Sequence, residues 1–135
     1  MVAMMAAGAG SASAWTYATK SAPQSATYKG VSHGDGYGAM YRSGYNYVIT
    51  TATLRDNKPD NDRAIFVSSQ AWASSGTART STAKTHNRDW TTVAQTRLHS
   101  ANGWVGASGW TKVCEDASLR PDICSTERYS PFGGL

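Results

Sequence analysis

The chain has 135 residues, of which 13 are Lys or Arg, 9 are Asp or Glu, and only 16% are charged. This length accommodates one compact domain. A coiled coil is excluded because it needs abundant Glu and Lys, and the chain has two Glu. Extensive disorder is excluded because five Trp, seven Tyr and two Phe supply large surfaces for burial. No apolar run reaches the roughly 20 residues that cross a bilayer, so we expect no membrane insertion.

The first fourteen residues, MVAMMAAGAGSASA, carry no charge and end in Ala12-Ser13-Ala14. A signal peptidase accepts small residues at the first and third positions of such a triplet. We therefore predict that residues 1–14 are a signal peptide, that cleavage follows Ala14, and that the protein is secreted. The positively charged start of a signal peptide is absent, which indicates that the true start lies upstream of Met1.

Cys114 and Cys124 are the only cysteines, with nine residues between them. In an exported chain this pair predicts a structural disulfide, which stabilises the fold by roughly 2–3 kcal/mol in the entropic model. A redox site would favour Cys-x-x-Cys spacing, and a zinc site would need a second pair of Cys or His. We therefore expect neither a metal nor a cofactor.

Residues 15–29, WTYATKSAPQSATYK, are rich in small polar residues with interspersed aromatics. One interpretation is an extended N-terminal arm that docks on another protein, with the backbone adding as a strand and the aromatics setting the register. The other interpretation is an ordinary first edge strand. The candidate docking residues of the arm are Trp15, Tyr17, Lys20, Tyr28 and Lys29.

The remaining residues, 30–135, are expected to form a single domain. Residues 45–54, YNYVITTATL, give the strongest strand signal because they are dense in β-branched and aromatic residues. Residues 56–63 are typical of a turn, and residues 64–73 predict a partner strand in a hairpin or Greek-key pair. Residues 74–84 predict a loop or a short edge strand, and residues 90–99 fit a helix or a strand. The segment 110–116 predicts a strand, whereas the tail 130–135 is expected to fray. This spacing of strands and turns favours a small antiparallel β-sandwich, immunoglobulin-like or Greek-key.

Two kinds of site find little support in the pattern. A ribonuclease needs a carboxylate base, a histidine acid and an arginine, but no spacing pairs a glutamate with a histidine, and Glu115 is expected to face solvent. The loop 56–62 supplies oxygen ligands for calcium, but it lacks the glycine and the terminal glutamate of a hand-type site. Polar turn chemistry explains the same residues.

The basic residues are dispersed, so we expect no nucleic-acid binding.

Aromatic residues are numerous enough to line a sugar-binding face. The candidate sugar-binding residues are Trp72, Trp90 and Trp104. Because the chain is poor in Leu and Phe, the same residues are also expected to build the core.

Three features together resemble a group of small exported actinobacterial β-sandwich proteins. They are the Ala12-Ser13-Ala14 site, the strand 45–54, and the ending Lys112-Val-Cys-Glu-Asp116 followed by Arg120-Pro-Asp-Ile-Cys124. Within that group the chain resembles the bridging (B) subunit of umbrella toxin particles, which are secreted complexes that antagonise related bacteria. The resemblance implies a non-catalytic subunit whose N-terminal segment, here 15–29, inserts into a groove of a larger toxin-bearing subunit. It also implies that the body of the protein carries a lectin-like subunit.

The sequence therefore predicts a secreted, non-catalytic adaptor of an antibacterial toxin complex. Two alternatives stay open. One is a secreted module that binds carbohydrate or cell wall, and the other is a small secreted enzyme or stand-alone bacteriocin-like polypeptide.

Overall fold

A computed structural model describes residues 14–117 and 121–135. Except for Ala14, the predicted signal peptide lies outside these residues. The described chain contains twelve strands and one short 3₁₀ helix, Pro59–Asn61. In chain order the strands are β1 (Trp15–Ala18), β2 (Gln24–Tyr28), β3 (Val31–Ser43), β4 (Tyr47–Thr50), β5 (Thr53–Asp56), β6 (Ile65–Ala73), β7 (Gly76–Ser81), β8 (Thr91–Thr92), β9 (Thr96–His99), β10 (Ser108–Glu115), β11 (Ile123–Cys124) and β12 (Arg128–Tyr129).

The strands form two sheets of antiparallel pairs, so the predicted small all-β sandwich is confirmed. In the first sheet the long strand β3 is central. Strands β1 and β2 pair along one side of β3, and β4 and β5 pair along the other. Strand β9 then adds to β4, and β8 adds to β5. In the second sheet β6 lies between β10 and β7, and the short strands β11 and β12 pair with β10.

The N-terminal segment is part of the first sheet. Trp15 pairs with Met40 on β3, and Gln24 pairs with Gly36. Tyr17 is buried, and its hydroxyl donates to the carbonyl of Thr51 at 2.7 Å. Of the two interpretations of residues 15–29, the extended arm is therefore wrong and the edge strand is confirmed. The segment contributes buried side chains and backbone hydrogen bonds to its own domain.

Residues 45–73 do not form the expected hairpin. The segment 45–54 divides into β4 and β5, which both pair with β3. Residues 65–73 form β6, which lies in the opposite sheet and pairs with β7 and β10. The turn 56–63 therefore carries the chain from one sheet to the other. Residues 91–92 and 96–99 are strands, so the strand interpretation of residues 90–99 is the correct one.

The interior consists of two apolar clusters between the sheets. Around Leu54 the first includes Ile65, Val67 and Val113. The second surrounds Trp104, which is fully buried. Gly34 on β3 permits close packing of the sheets, because a Cβ at this position would lie 2.2 Å from Cδ1 of Ile65.

The C-terminal tail is ordered against β10. The amide of Leu135 donates to the carbonyl of Ala107 at 3.0 Å, and the Leu135 side chain is buried beside Trp104. The expectation that residues 130–135 fray is therefore wrong, because a terminal leucine fills the end of the core. Toward the other end of β10, the predicted disulfide joins Cys114 to Cys124 of β11, which are directly paired residues.

Candidate functional site

The outer surface of the second sheet carries the main candidate site. Along β6 the buried residues Val67, Ser69 and Ala71 face the first sheet, so the alternate side chains face outward. The strand register then aligns outward residues of β10, β6 and β7 in rows. We call this surface the Trp110 face; its members are Phe66, Ser68, Gln70, Trp72, Thr77, Arg79, Ser81, Trp110, Lys112 and Tyr129.

Trp110 organises two cations on this face. The guanidinium carbon of Arg79 lies 5.6 Å from the centroid of the indole ring, and Nζ of Lys112 lies 5.4 Å from it. Oε1 of Gln70 accepts hydrogen bonds from both Trp110 Nε1 and Arg79 Nη2, each at 2.9 Å. Among the described residues no carboxylate forms an ion pair with Arg79 or Lys112. Both positive charges are thus held in place and available to an external anion.

One end of the Trp110 face is apolar: Trp72 and Tyr129 lie there, next to the C-terminal turn that carries Phe132, and we call these three residues the aromatic corner. The rings of Trp72 and Tyr129 meet edge to face with their centroids 6.2 Å apart. Tyr129 is 58% exposed and Phe132 is 97% exposed. The turn that carries Phe132 is fixed to β10, because the amide of Gly133 donates to Oγ of Ser108 at 2.7 Å. Exposed aromatics on a fixed backbone are typical of binding surfaces.

The other end of the Trp110 face contains a shallow pocket of about 400 Å³, which we call the cup. Its lining includes Phe66 and the two disulfide cysteines, and its polar lining residues are Ser68, Ser81, Lys112 and Asp122. Oδ1 of Asp122 accepts the backbone amide of Ala117 at 2.9 Å. Lys84 stands over the Phe66 ring and is paired with Asp116.

A second cluster of polar residues lies between the sheets at the end of β10. Nδ1 of His33 lies 3.1 Å from Oε2 of Glu115, and Nδ2 of Asn61 donates to the same oxygen at 2.8 Å. Arg63 Nη1 is 3.8 Å from Oε1. Glu115 is fully buried, so the expectation that it faces solvent is wrong. The structure brings together a histidine, a glutamate and an arginine that no sequence spacing connected.

Asp56 lies close enough to this cluster for its charge to interact with Glu115. Its Oδ1 accepts the amide of Lys58 at 2.8 Å, but its buried Oδ2 has no hydrogen-bond partner among the described residues. Burial raises the pKa of Asp56, and the charge of Glu115 raises it further, although the Lys58 hydrogen bond and the two histidines His33 and His86 oppose these effects.

The predicted sugar-binding tryptophans do not form one face. Trp72 belongs to the aromatic corner, whereas Trp90 packs edge to face against Tyr37, with the centroids 5.0 Å apart, and lies under Arg55. Trp104 is a core residue, and it is therefore wrong as a sugar-binding residue. Its buried ring has no surface to offer a ligand.

The predicted docking residues of the N-terminal segment also separate. Lys20, Tyr28 and Lys29 are exposed, with Lys29 placed over the Tyr28 ring at 5.3 Å. Trp15 is half-buried against both apolar clusters, and Tyr17 belongs to the core. Trp15 and Tyr17 are therefore unavailable as contacts of a free arm.

The turn considered for calcium is shaped by its own hydrogen bonds. Oδ1 of Asn61 accepts the amide of Arg63, and Nδ2 of Asn57 donates to Oδ2 of Asp35. No group of three His, Cys, Asp or Glu residues suited to a metal ion occurs within residues 14–117 and 121–135.

Sequence reasoning missed Arg79, Lys112 and Tyr129 as members of a common surface. The signal available was the period-two alternation of β6 and β10, which places Trp72 and Trp110 on one face. The chain matches no protein-family model, no curated protein and no solved structure. Within the described residues, no helix has both the length and the apolar character needed to cross a bilayer.

Proposed function

We propose that the protein is a secreted, non-catalytic subunit of an antibacterial toxin complex, which docks on a larger secreted partner through the aromatic corner and the adjoining Arg79. The observation that carries the docking proposal is the exposure of Tyr129 and Phe132 beside the arginine held on Trp110. The toxin-complex setting, including a lectin-like subunit among the partners, rests on the resemblance of the sequence.

The chemistry of the corner suits a protein partner. Tyr, Trp and Arg are the residues that dominate binding energy at interfaces, especially where they surround a desolvated centre. Trp72 and Tyr129 are already in contact, and Arg79 is oriented by Gln70 and Trp110. Because these side chains are held before binding, ordering them on association costs little entropy.

The N-terminal segment 15–29 serves this subunit as part of its scaffold. Arg128 links it to the corner, because Nη1 of Arg128 donates to the carbonyl of Tyr17 at 2.8 Å, next to Tyr129 on β12. The docking surface proposed from the structure therefore differs from the one proposed from the sequence. The surface proposed from the sequence lies at the start of the chain, whereas the one proposed here lies on β6, β7, β10 and the C-terminal turn.

Secretion is supported by the disulfide, because such bonds persist in oxidising compartments outside the cytosol. The non-catalytic role is supported by the burial of Glu115. A carboxylate with no exposed surface cannot contact a substrate, and its bonds to His33 and Asn61 are those of a satisfied buried charge.

The test uses the protein as secreted, with an affinity tag at the mature N-terminus. We expect wild-type protein recovered from culture medium to elute with a larger secreted protein in a fixed ratio. The double variant Tyr129→Ser, Phe132→Ser should reduce that recovery at least tenfold without lowering the melting temperature.

Val31→Ser is the control, because Val31 is 47% exposed and lies at the start of β3 in the first sheet, at the opposite end of the sandwich from Trp72. It should leave recovery of the partner unchanged. Elution of the wild-type protein from native medium as an isolated monomer would overturn the proposal. Recovery that is unchanged by the double variant would reject the corner as the docking surface.

A further inference from the structure

Several polar groups that line the cup have hydrogen-bonding or ion-pairing capacity that the described fold does not use. The hydroxyls of Ser68 and Ser81 line it, and no hydrogen bond within the described residues engages either one. Asp122 uses one carboxylate oxygen for the Ala117 amide and has a second oxygen to offer. The Lys112 ammonium is stacked on Trp110 and has no ion-pair partner in the described chain.

The remaining lining is apolar. Phe66, Cys114 and Cys124 supply the apolar part of the lining. The volume of about 400 Å³ lies in the range of pockets that bind small molecules. Such a combination suits a ligand with one C–H-rich face and a rim of hydroxyls, which describes a sugar ring.

The charged residues of the lining narrow the class of sugar further. A free carboxylate oxygen accepts hydrogen bonds from sugar hydroxyls, and the serines can donate or accept. Lys112 adds a positive charge at the rim, and Arg79 lies in the next row of the same face. Lys112 thus favours a sugar that carries an acidic substituent over a neutral one.

We propose that the cup is a binding site for a single sugar ring with an anionic substituent, such as a uronic acid or a sugar phosphate. Ser68, Ser81 and Asp122 bind the hydroxyls, and Lys112 binds the acidic group. This activity is distinct from docking at the aromatic corner, which lies at the other end of the Trp110 face. Ser68 lies four positions before Trp72 on β6, or about 13 Å at the rise of an extended strand. A sugar in the cup and a protein at the aromatic corner can therefore bind together.

The experiment is a titration of isotope-labelled protein followed by amide chemical shifts. The probes are glucuronic acid, glucose 6-phosphate, glucose and inorganic phosphate. We expect the two acidic sugars to shift amides of residues 66–68 and 112–114 with millimolar affinity. Glucose should bind at least fivefold more weakly, and inorganic phosphate should leave these amides unshifted.

Ser68→Ala is the central variant, because the hydroxyl that it removes makes no hydrogen bond to the described residues. It should weaken binding of glucuronic acid at least threefold, and Asp122→Asn should do the same. Lys112→Met should abolish the preference for acidic sugars over glucose. Thr77→Ala is the control, since Thr77 lies on the same face in the row of Trp72, outside the cup.

Three outcomes would overturn the proposal. The first is an absence of shifts in the cup with both acidic sugars, and the second is equal affinity of Ser68→Ala and wild type. The third is equal binding of glucose and glucuronic acid, which would reject the anionic class. None of these bears on co-purification with a protein partner, so failure here is distinct from failure of the docking proposal.

Discussion

His33 and Glu115 connect the two sheets of the sandwich through a buried hydrogen bond. Nδ1 of His33, on β3 of the first sheet, lies 3.1 Å from Oε2 of Glu115, the last residue of β10 in the second sheet. A carboxylate can only accept, so the proton of this bond belongs to the imidazole. With Asn61 donating to the same oxygen, the fully buried charge of Glu115 is compensated at the cost of fixing three side chains.

Removal of the imidazole should therefore destabilise the fold. We expect His33→Ala to lower the free energy of unfolding by about 2 kcal/mol, the typical loss for a hydrogen bond to a charged group. Urea unfolding at pH 7 measures this loss. His99→Ala is the control, because His99 is exposed and its ring packs against the Tyr47 ring. A loss as small as that of the control would show that Glu115 is satisfied without the imidazole.

Asp35 makes the stability of the protein sensitive to acid. Burial raises the pKa of Asp35, but hydrogen bonds outweigh this effect and hold the pKa below its ordinary value. The donors are Ser25, Ser32, Asn57 and Arg55.

Because the folded-state pKa is lowered, the stabilisation by Asp35 is complete above the unfolded pKa of about 3.9 and is lost as the pH falls through the folded value. We expect Asp35→Asn to cost about 1–2 kcal/mol at pH 7 and progressively less below pH 4. The measurement is the urea midpoint between pH 2 and 7. Asp89→Asn, at an exposed aspartate, should leave the profile unchanged, and a parallel profile for Asp35→Asn would contradict the assignment.

The pKa of Asp56 is shifted in the opposite direction from that of Asp35. Its pKa is raised by burial and by the charge of Glu115, so the folded state holds the Asp56 proton more tightly than the unfolded chain does. Stability from this group is therefore lost as the pH rises from the unfolded pKa through the folded one.

Asp56→Asn retains an acceptor for the Lys58 amide and removes the charge beside Glu115. We expect it to raise the free energy of unfolding at pH 7 by about 1 kcal/mol, because the buried charge and its repulsion with Glu115 are removed. The gain should vanish below pH 3, where the wild-type carboxyl is protonated in both states. A variant less stable than wild type at pH 7 would mean that Oδ2 has a favourable role in the fold.

Local patterns in the sequence were sufficient for the strands but insufficient for their partners. The β-branched run 45–54 does form strands, and Trp110–Glu115 lies in one, because strand propensity is a property of nearby residues. The run 64–73 is also a strand, yet it pairs in the other sheet. A turn rich in Asp and Asn permits either a hairpin or a crossing between sheets, and only packing of the two faces decides.

The sites depended on contacts that sequence spacing does not encode. His33 and Glu115 lie 82 positions apart, and their pairing follows from the register of β3 and β10 across the sandwich. Residues 15–29 have the composition of an exposed segment, but Tyr17 and Gln24 bury their polar groups by bonding to Thr51 and Thr111. Small polar residues therefore did not signal exposure in this fold. The disulfide was predictable because two cysteines permit a single pairing.

The three candidate tryptophans offer a direct test of which aromatics build the core. Trp104 is fully buried, and its Nε1 donates to the carbonyl of Leu98 at 3.1 Å. We expect Trp104→Ala to lower the free energy of unfolding by about 4 kcal/mol, through lost burial and a cavity beside Met40. Trp104→Phe should cost about half of that, because the ring is largely replaced while the hydrogen bond is lost.

Trp72→Ala and Trp90→Ala are the matched comparisons, since each tryptophan is only half-buried and mainly loses one edge-to-face contact. We expect each of these two variants to lower the free energy of unfolding by about 1 kcal/mol, as measured for aromatic pairs in other proteins. Urea unfolding followed by circular dichroism compares all four variants on one scale. If Trp104→Ala lowered the free energy of unfolding no more than Trp72→Ala, the apolar cluster around Trp104 could not be the packed centre of the domain. The burial of Leu135 in that cluster would then not explain why the C-terminal tail is folded.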